Sequence, residues 1–257
     1  MPTPNSIIVY DGPSSIDGKP IVVILTGLAS SSANGKTGDL IQSFIIRSDI
    51  EPHEALRTGD DVSVCGMCPH RPLIARMLAR AGLPSSPCYV RVHESVLSVY
   101  RAYRRGSYPV ATSIGQVRAL LRGRRLRLGT YGDPAAAPVE LWQLLVSLAD
   151  GHVGYSHQWQ ASGFDVAAWA PLVMASVDSA AEAAQAAAMG MRYFRVSIGV
   201  DRQPLEVSCP ASAEAGRKAQ CSDCMLCGGT AKQARSIVIA DHAAGHDKRR
   251  TIMLQAA

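Results

Sequence analysis

The chain is poor in charged and aromatic residues, and it contains no long apolar run. Of its 257 residues, 18% are charged and 5% are aromatic, whereas 47% are hydrophobic. This balance excludes a mainly disordered chain, and the abundance of Ala, Gly and Val favours α/β layers over an all-β sandwich. No apolar run approaches the roughly 18–20 residues of a membrane span, and Ile21–Leu25 is strand-sized.

Signals for export are also missing. The first residues, Met1-Pro2-Thr3-Pro4, show neither the basic region nor the apolar core of a signal peptide. The formal net charge of +5 permits an anionic partner without requiring one. We therefore expect a cytoplasmic protein that has no membrane partner.

Predicted strands and helices alternate along most of the chain, which implies βα units and a parallel sheet. The first expectation is an α/β fold in the form of a complete or partial β/α (TIM-like) barrel, and an open doubly wound sheet is the alternative. Residues 1–20 are rich in Pro, Gly, Ser and Asp and are predicted to be an irregular lead-in, whereas 21–257 are predicted to form one domain with cysteine-bearing segments at 65–88 and 209–229. Strands are expected at 21–26, 88–92, 125–130, 153–157, 172–177, 193–198, 205–208 and 236–240, and helices at 94–105, 113–121, 138–149 and 180–189.

Polar residues follow several of the predicted strands. In a β/α barrel, residues just beyond the carboxyl ends of the strands share one mouth. Asp133, His157, Asp178 and Arg195 stand at or near such strand ends, so we predict that they bind a substrate and take part in catalysis. Two of them have simpler alternatives: His157 as a hydrogen-bonded structural residue, and Asp133 as a helix cap.

The C-terminal cysteines have the spacing of a metal site. Seven cysteines in a chain without an export signal indicate thiols kept reduced for a metal or a redox role. Cys221, Cys224 and Cys227 stand at C-x2-C-x2-C spacing, and Cys209-Pro210 precedes them. This is the ligand pattern of a ferredoxin-type [4Fe–4S] cluster. Tetrahedral zinc, which also takes four cysteines, is the alternative.

A second group comprises Cys65, Cys68, His70 and Cys88. Three thiols and an imidazole could close a Cys3His zinc site. Alternatively, the three cysteines hold a cluster that leaves one iron open, as radical S-adenosylmethionine enzymes do, although the sequence lacks their C-x3-C-x2-C motif. A third interpretation is that these cysteines are small buried residues.

Basic residues suggest anion binding more weakly. Lys36 lies in Gly35-Lys36-Thr37, which resembles the end of a P-loop, but Ser30 stands where that motif needs glycine. Lys36 remains a candidate for binding an anionic cofactor near a helix start. The Arg-rich segments could contact the phosphates of a nucleotide or nucleic acid, or they could be solvated helix faces; they are 101–105, 122–127 and 248–250.

Taken together, these motifs resemble a family of uncharacterised phage and prophage proteins with paired cysteine clusters. The resemblance spans about residues 20–245 and rests on segments 36–39, 65–71, 88–90, 132–134, 155–159, 194–196 and 209–227. More loosely, the chain is similar to the iron–sulfur partial β/α barrels of the radical S-adenosylmethionine class. The resemblance implies S-adenosylmethionine as a cosubstrate, a role in nucleic acid metabolism and, if a phage encodes the chain, the host cytoplasm.

Two functions from different classes follow. The leading hypothesis is an iron–sulfur enzyme that acts on a nucleotide or nucleic-acid-related substrate by redox or radical chemistry. The alternative is a non-catalytic nucleic-acid-binding or assembly protein in which iron–sulfur or zinc sites only fix loops. His70 discriminates between them, because a site that it closes has no open coordination position.

Overall fold

The structure is a computed structural model that describes residues 3–30, 35–83, 88–197, 201–216 and 218–240. Its strands are β1 (Ser6–Pro13), β2 (Pro20–Thr26), β3 (Leu40–Arg47), β4 (Arg125–Tyr131), β5 (Gly151–Ser156), β6 (Met174–Val177), β7 (Tyr193–Ser197), β8 (Glu206–Ser208) and β9 (Ser236–Ala240). Its α-helices are α1 (Pro52–Thr58), α2 (Val62–Cys65), α3 (Pro72–Arg80), α4 (Leu97–Arg104), α5 (Ile114–Leu121), α6 (Val139–Leu148), α7 (Val166–Trp169), α8 (Ala180–Ala188) and α9 (Cys221–Cys224). A π-helical turn, Val92–Val96, leads into α4.

The strands form one nine-stranded sheet in the order β1-β2-β3-β4-β5-β6-β7-β9-β8. The first three strands pair in antiparallel fashion, and every pair from β3 onward is parallel. The sheet does not close on itself within the described ranges, because β1 and β8 are its two edges. The fold is therefore a mixed α/β fold with a mostly parallel sheet.

The strand order determines where the helices lie. From β3 to β7 each new parallel strand is added on the same side of the previous one. Because such crossovers are right-handed, connections that run in one direction place their helices on one face of the sheet. The opposite face of β4 to β9 is thereby left for other contacts. The order reverses only at β8 and β9.

The core has two parts. In β2, every residue from Ile21 to Leu25 is fully buried, as expected for a strand covered on both faces. A second, smaller cluster lies against the later strands and includes two cysteine side chains among its apolar residues; its buried members are Leu40, Val153, Met174, Cys209, Ala211, Cys227, Ile237 and Ile239.

Most predicted elements are confirmed, and two predictions are wrong. The lead-in 1–20 is not irregular, because β1 pairs with β2 from Ser6↔Thr26 to Pro13↔Pro20. The strand expected at 88–92 is absent. The Val90 N–H donates to the Cys88 sulfur (3.4 Å) and the Cys88 N–H donates to the His70 carbonyl (2.9 Å), so a local turn and a contact with the earlier cysteine loop use donors that a strand would need.

No helix in the described part of the chain has the length and apolar character needed to cross a membrane.

Candidate functional site

All seven cysteines line a single cavity of about 410 Å³. Its floor is the face of the sheet that the β4–β7 crossover helices leave uncovered. Alternate residues of three strands point into it, namely Val153 and Tyr155 of β5, Phe194 and Val196 of β7, and Ile237 and Ile239 of β9. The two cysteine groups, separated in sequence by more than a hundred residues, therefore face the same space.

Backbone hydrogen bonds fix the C-terminal cysteine group to the sheet. The Cys209 N–H donates to the Val238 carbonyl (2.9 Å), and the Gly154 N–H donates to the Cys227 carbonyl (3.1 Å). At the start of α9, the Cys221 N–H donates to the Lys36 carbonyl (2.9 Å). The cysteine loop is thus held between β5, β9 and the segment that contains Lys36.

Two cations face the C-terminal thiols. Lys36 and Arg127 both line the cavity. Burial raises the pKa of Cys209 and of Cys221, and the charge of Lys36 opposes that rise at both thiols. Arg127 acts in the same direction on Cys221. Burial raises the pKa of Cys227 to about 12. Cys209, Cys221 and Cys227 are thus held as neutral thiols unless a further positive charge binds.

The N-terminal cysteine group is held by an ion pair and by Gln158. Arg71 makes two hydrogen bonds to the buried Asp61 carboxylate (2.9 and 2.8 Å). The Gln158 side chain accepts from the Met67 N–H (3.0 Å) and donates to the Cys65 carbonyl (3.1 Å). Gly66 has φ +53°, and a Cβ there would lie 2.2 Å from the Gln158 side-chain oxygen. Glycine is therefore required for this segment to dock on the end of β5.

Backbone N–H groups lie close to three of the thiols. The Cys88 thiol accepts the Val90 N–H (3.4 Å), and the backbone at His70 and Ala211 acts to lower the pKa of Cys68 and of Cys209. Such bonds favour the thiolate, which is the form that ligates metals. At Cys68 and Cys88, burial nevertheless raises the pKa.

The thiols are not gathered at the spacing of ligands to one ion. Ligands around a tetrahedral zinc with Zn–S bonds of about 2.3 Å are roughly 3.8 Å apart. In the ranges that the structure covers, no three cysteine sulfurs lie within 4.8 Å of one another. The predicted zinc and Cys3His sites are thus not preassembled, and His70 lies among other groups.

His70 joins two of the predicted catalytic residues. Its Nε2 lies 3.1 Å from Asp178 Oδ1, and His157 Nε2 lies 3.8 Å from Asp178 Oδ2. Burial lowers the pKa of His157 to about 4. Desolvation acts to raise the pKa of Asp178, but the hydrogen bond to His70 and the charges of His70 and His157 together outweigh it, and the pKa falls below its usual value.

Asp133 helps to hold His157 of this cluster in place through hydrogen bonds to the end of β5. It is buried, and its carboxylate accepts from the Ser156 hydroxyl (2.7 Å), the His157 N–H (2.8 Å) and the Ala135 N–H (3.0 Å). Burial raises its pKa, although these bonds act to lower it. The predicted capping role is confirmed by the Ala135 bond, and Asp133 also lines the cavity.

Arg195 lies apart from the other predicted residues. It does not line the cavity, and its guanidinium makes two hydrogen bonds to the buried Glu206 (2.7 and 2.8 Å) and one to the Asp201 carbonyl (2.8 Å). Its side chain is 4% exposed. We therefore assign Arg195 a structural role in joining β7 to the β8 segment.

The Arg-rich segment 122–127 does not form one solvated face. Arg124 donates to the carbonyls of Gly27 (2.9 Å) and Leu28 (3.0 Å), Arg125 donates to the Ser222 carbonyl, and Arg127 faces the cavity. In 101–105, Arg104 donates to the Ser48 carbonyl (2.9 Å). Segment 248–250 lies outside the described residues.

The aromatic walls of the cavity are absent from the sequence predictions, and Arg127 enters them only as part of the basic segment 122–127. Tyr155 and Phe194 pack against each other in a tilted arrangement, with ring centroids 4.6 Å apart, and both face the cavity. Their alternation with neighbours in the predicted strands is a signal that points to them. Gln158 follows a predicted strand, but its contacts depend on a loop about ninety residues earlier and have no sequence signal.

Comparison of the chain with protein-family models, curated proteins and solved structures finds no match.

Proposed function

We propose that this chain is an iron–sulfur enzyme, whose cavity binds a [4Fe–4S] cluster through Cys209, Cys221, Cys224 and Cys227. The observation that carries the proposal is that all seven cysteines line one cavity. Free cysteines that serve only as small apolar residues have no reason to converge there from distant segments. The cluster supplies electron transfer or radical chemistry, and the chain binds and orients the substrate.

We infer a partial β/α barrel as the scaffold. A one-directional strand order from β3 to β7 favours helices on one face and an interior on the other. The cavity-facing residues of β5, β7 and β9 alternate along each strand, as interior residues of a curved sheet do. A doubly wound sheet would instead reverse its order near the middle.

The spacing of the C-terminal cysteines is our reason for preferring iron–sulfur to zinc. Cys221, Cys224 and Cys227 stand at the C-x2-C-x2-C spacing of a [4Fe–4S] loop. In the described residues no three cysteine sulfurs lie within 4.8 Å of one another, so the proposal requires the cysteine loops to close around the cluster. Lys36 and Arg127 line the same cavity and would offset the net negative charge of a thiolate-bound cluster.

The N-terminal thiols suit a cluster with an open iron. Cys65, Cys68 and Cys88 supply three ligands. His70 does not supply a fourth, because its Nε2 contacts Asp178. An open iron would accept S-adenosylmethionine, as the similarity to radical enzymes implies, and this supports the enzyme over the alternative of a nucleic-acid-binding or assembly protein. A cluster that only fixed a loop would have no need of a cavity, so the position of the thiols around a cavity favours a catalytic role.

The cavity walls suit a nucleotide or a nucleic-acid base as substrate. Tyr89, Tyr155 and Phe194 offer ring faces for stacking a flat heterocycle, and Lys36 and Arg127 offer positive charge for a phosphate. If a phage encodes the chain, such chemistry belongs to nucleic acid metabolism in the host cytoplasm. Arg124 and Arg125 donate to carbonyl groups of the chain itself. We therefore expect the cavity-lining cations Lys36 and Arg127 to contact the substrate instead.

Anaerobic purification with iron, sulfide and zinc analysis tests the proposal. We expect a brown protein with a broad absorption band near about 400 nm. Cys224→Ser should lose about half of the band and keep the part due to a cluster at Cys65, Cys68 and Cys88, whereas Asp223→Asn, an exposed change in the same loop, should keep all of it. A colourless protein with stoichiometric zinc, or equal spectra for the two variants, would contradict the proposal.

A further inference from the structure

Three potential metal ligands meet at the rim of the cavity from three separate segments. His70 comes from the N-terminal cysteine loop, His157 follows β5, and Asp178 follows β6. Their ligand atoms all lie within 4.8 Å of one another, with separations of 3.1 and 3.8 Å on the two sides of the carboxylate. Around a divalent ion with bonds of about 2.0–2.1 Å, neighbouring ligands are roughly 3.0–3.4 Å apart. The His70–Asp178 separation falls within that range, and the His157–Asp178 separation exceeds it, so ion binding would draw His157 and Asp178 slightly closer.

His157 Nε2 provides an independent observation. This atom is buried and has no hydrogen-bond partner among the described residues. A buried polar atom without a partner is costly, and native structures seldom leave one without a reason. The nearest anionic atom is Asp178 Oδ2, which lies beyond hydrogen-bonding range. A bound cation between the two would satisfy both.

The surroundings hold the three ligands in place. Asp133 accepts the backbone N–H of His157 (2.8 Å), and the Glu182 carboxylate accepts the backbone N–H of Asp178 (2.7 Å). Gln158 links the end of β5 to the segment before His70 through Met67 and Cys65. Supporting hydrogen bonds of this kind orient the first ligands of metal sites.

We propose that His70, His157 and Asp178 bind a divalent transition-metal ion, separately from the thiol clusters. Two imidazoles and one carboxylate supply three ligands, so the remaining coordination positions are open. His70 and His157 also line the cavity, which places those positions within reach of a substrate or a water molecule. His70 then belongs to this site and not to the ligands of Cys65, Cys68 and Cys88.

This site does not depend on the iron–sulfur proposal, and the hardness of the ligands allows a separate test. Mn²⁺ prefers carboxylate, imidazole and water to thiolate. Titration of the 257-residue chain with Mn²⁺ under anaerobic conditions, followed by electron paramagnetic resonance, measures this site without interference from the cysteines. We expect one equivalent to bind and spin-echo modulation to show coupling to imidazole nitrogen.

Matched variants assign the ligands. His157→Gln and Asp178→Asn should each weaken Mn²⁺ binding by more than about tenfold. His93→Gln, which removes an imidazole that is 68% exposed, should leave it unchanged. Circular dichroism checks that each variant folds, and the nitrogen coupling in the unaltered protein needs no variant. Absence of stoichiometric binding, absence of nitrogen coupling, or an affinity in either ligand variant equal to that of the unaltered protein would overturn the proposal.

Discussion

Removal of the Asp133 carboxylate should destabilise the protein strongly, because this side chain fixes the ends of two strands. The residue is 7% exposed and follows β4. It accepts hydrogen bonds from Ser156, His157 and Ala135 at 2.7, 2.8 and 3.0 Å. Asp133→Ala leaves these three donors without their acceptor, and the Ser156 side chain is itself fully buried.

The magnitude follows from opposing contributions. Hydrogen bonds to a charged group contribute about 1.5–3 kcal/mol each, so three of them amount to a gross loss of roughly 4–9 kcal/mol. Removal of a buried carboxylate also removes a desolvation cost of several kcal/mol, and water from the adjacent cavity can solvate part of the exposed donors. We expect a net loss of about 3 kcal/mol in the free energy of unfolding.

Urea denaturation compared with Asp165→Ala measures this difference. Asp165 is a carboxylate that caps α7 through one bond to the Ala168 N–H (3.2 Å), so its removal should cost about 1 kcal/mol. A loss below about 1 kcal/mol for Asp133→Ala, or equal losses for the two variants, would refute the positioning role. A residue that contacted only the substrate would show such a small loss of stability.

Two further perturbations have sharp expectations. Gly66→Ala should lower the free energy of unfolding, measured by urea denaturation, by about 3 kcal/mol, and Gly82→Ala should lower it by about 1 kcal/mol. Both glycines have positive φ, but of the two only a Cβ at Gly66 would meet another atom, Gln158 Oε1 at 2.2 Å. Equal losses would contradict the docking contact. Burial lowers the pKa of His152 from 6.5, so the folded protein binds a proton on this imidazole more weakly than the unfolded chain does. The contribution of neutral His152 to stability is therefore fully present above pH 6.5 and is lost as the pH falls below it. The thermal midpoint should therefore fall less steeply between pH 7 and pH 5 in His152→Gln than in the unaltered chain, and identical slopes would contradict the assignment.

Local patterns predicted most of the secondary structure. The predicted strand at 125–130 corresponds to β4, and the helix at 113–121 corresponds to α5 with the expected cap, since the Ser113 hydroxyl accepts the Gln116 N–H (3.2 Å). These elements depend on side-chain periodicity and on neighbours in sequence. The β1 strand was missed because Pro, Gly and Asp flank Ile7–Tyr10, although pairing with β2 overrides those breakers.

The spacing within each cysteine group is visible in the sequence, but the geometry of the cavity that the two groups share is not. Ligand spacing within a short loop is visible in sequence, since one turn determines it. The convergence of Cys65 and Cys221 depends on the strand order and on which face of the sheet the crossovers leave open. The spacing of cysteines within a loop indicates neither the strand order nor the face of the sheet that stays uncovered.

Strand parity explains which predicted site residues meet and which does not. In β5, Val153 and Tyr155 face the cavity, and His157 continues the same alternation beyond the end of the strand. Ser176 of β6 faces it as well, and Asp178 is again two residues later. In β7, Phe194 and Val196 are the cavity-facing residues, so Arg195 between them must point to the opposite face, where it meets Glu206. A position near the carboxyl end of a strand is thus insufficient for membership of the site, because a shift of one residue moves a side chain from the cavity to the other side of the sheet.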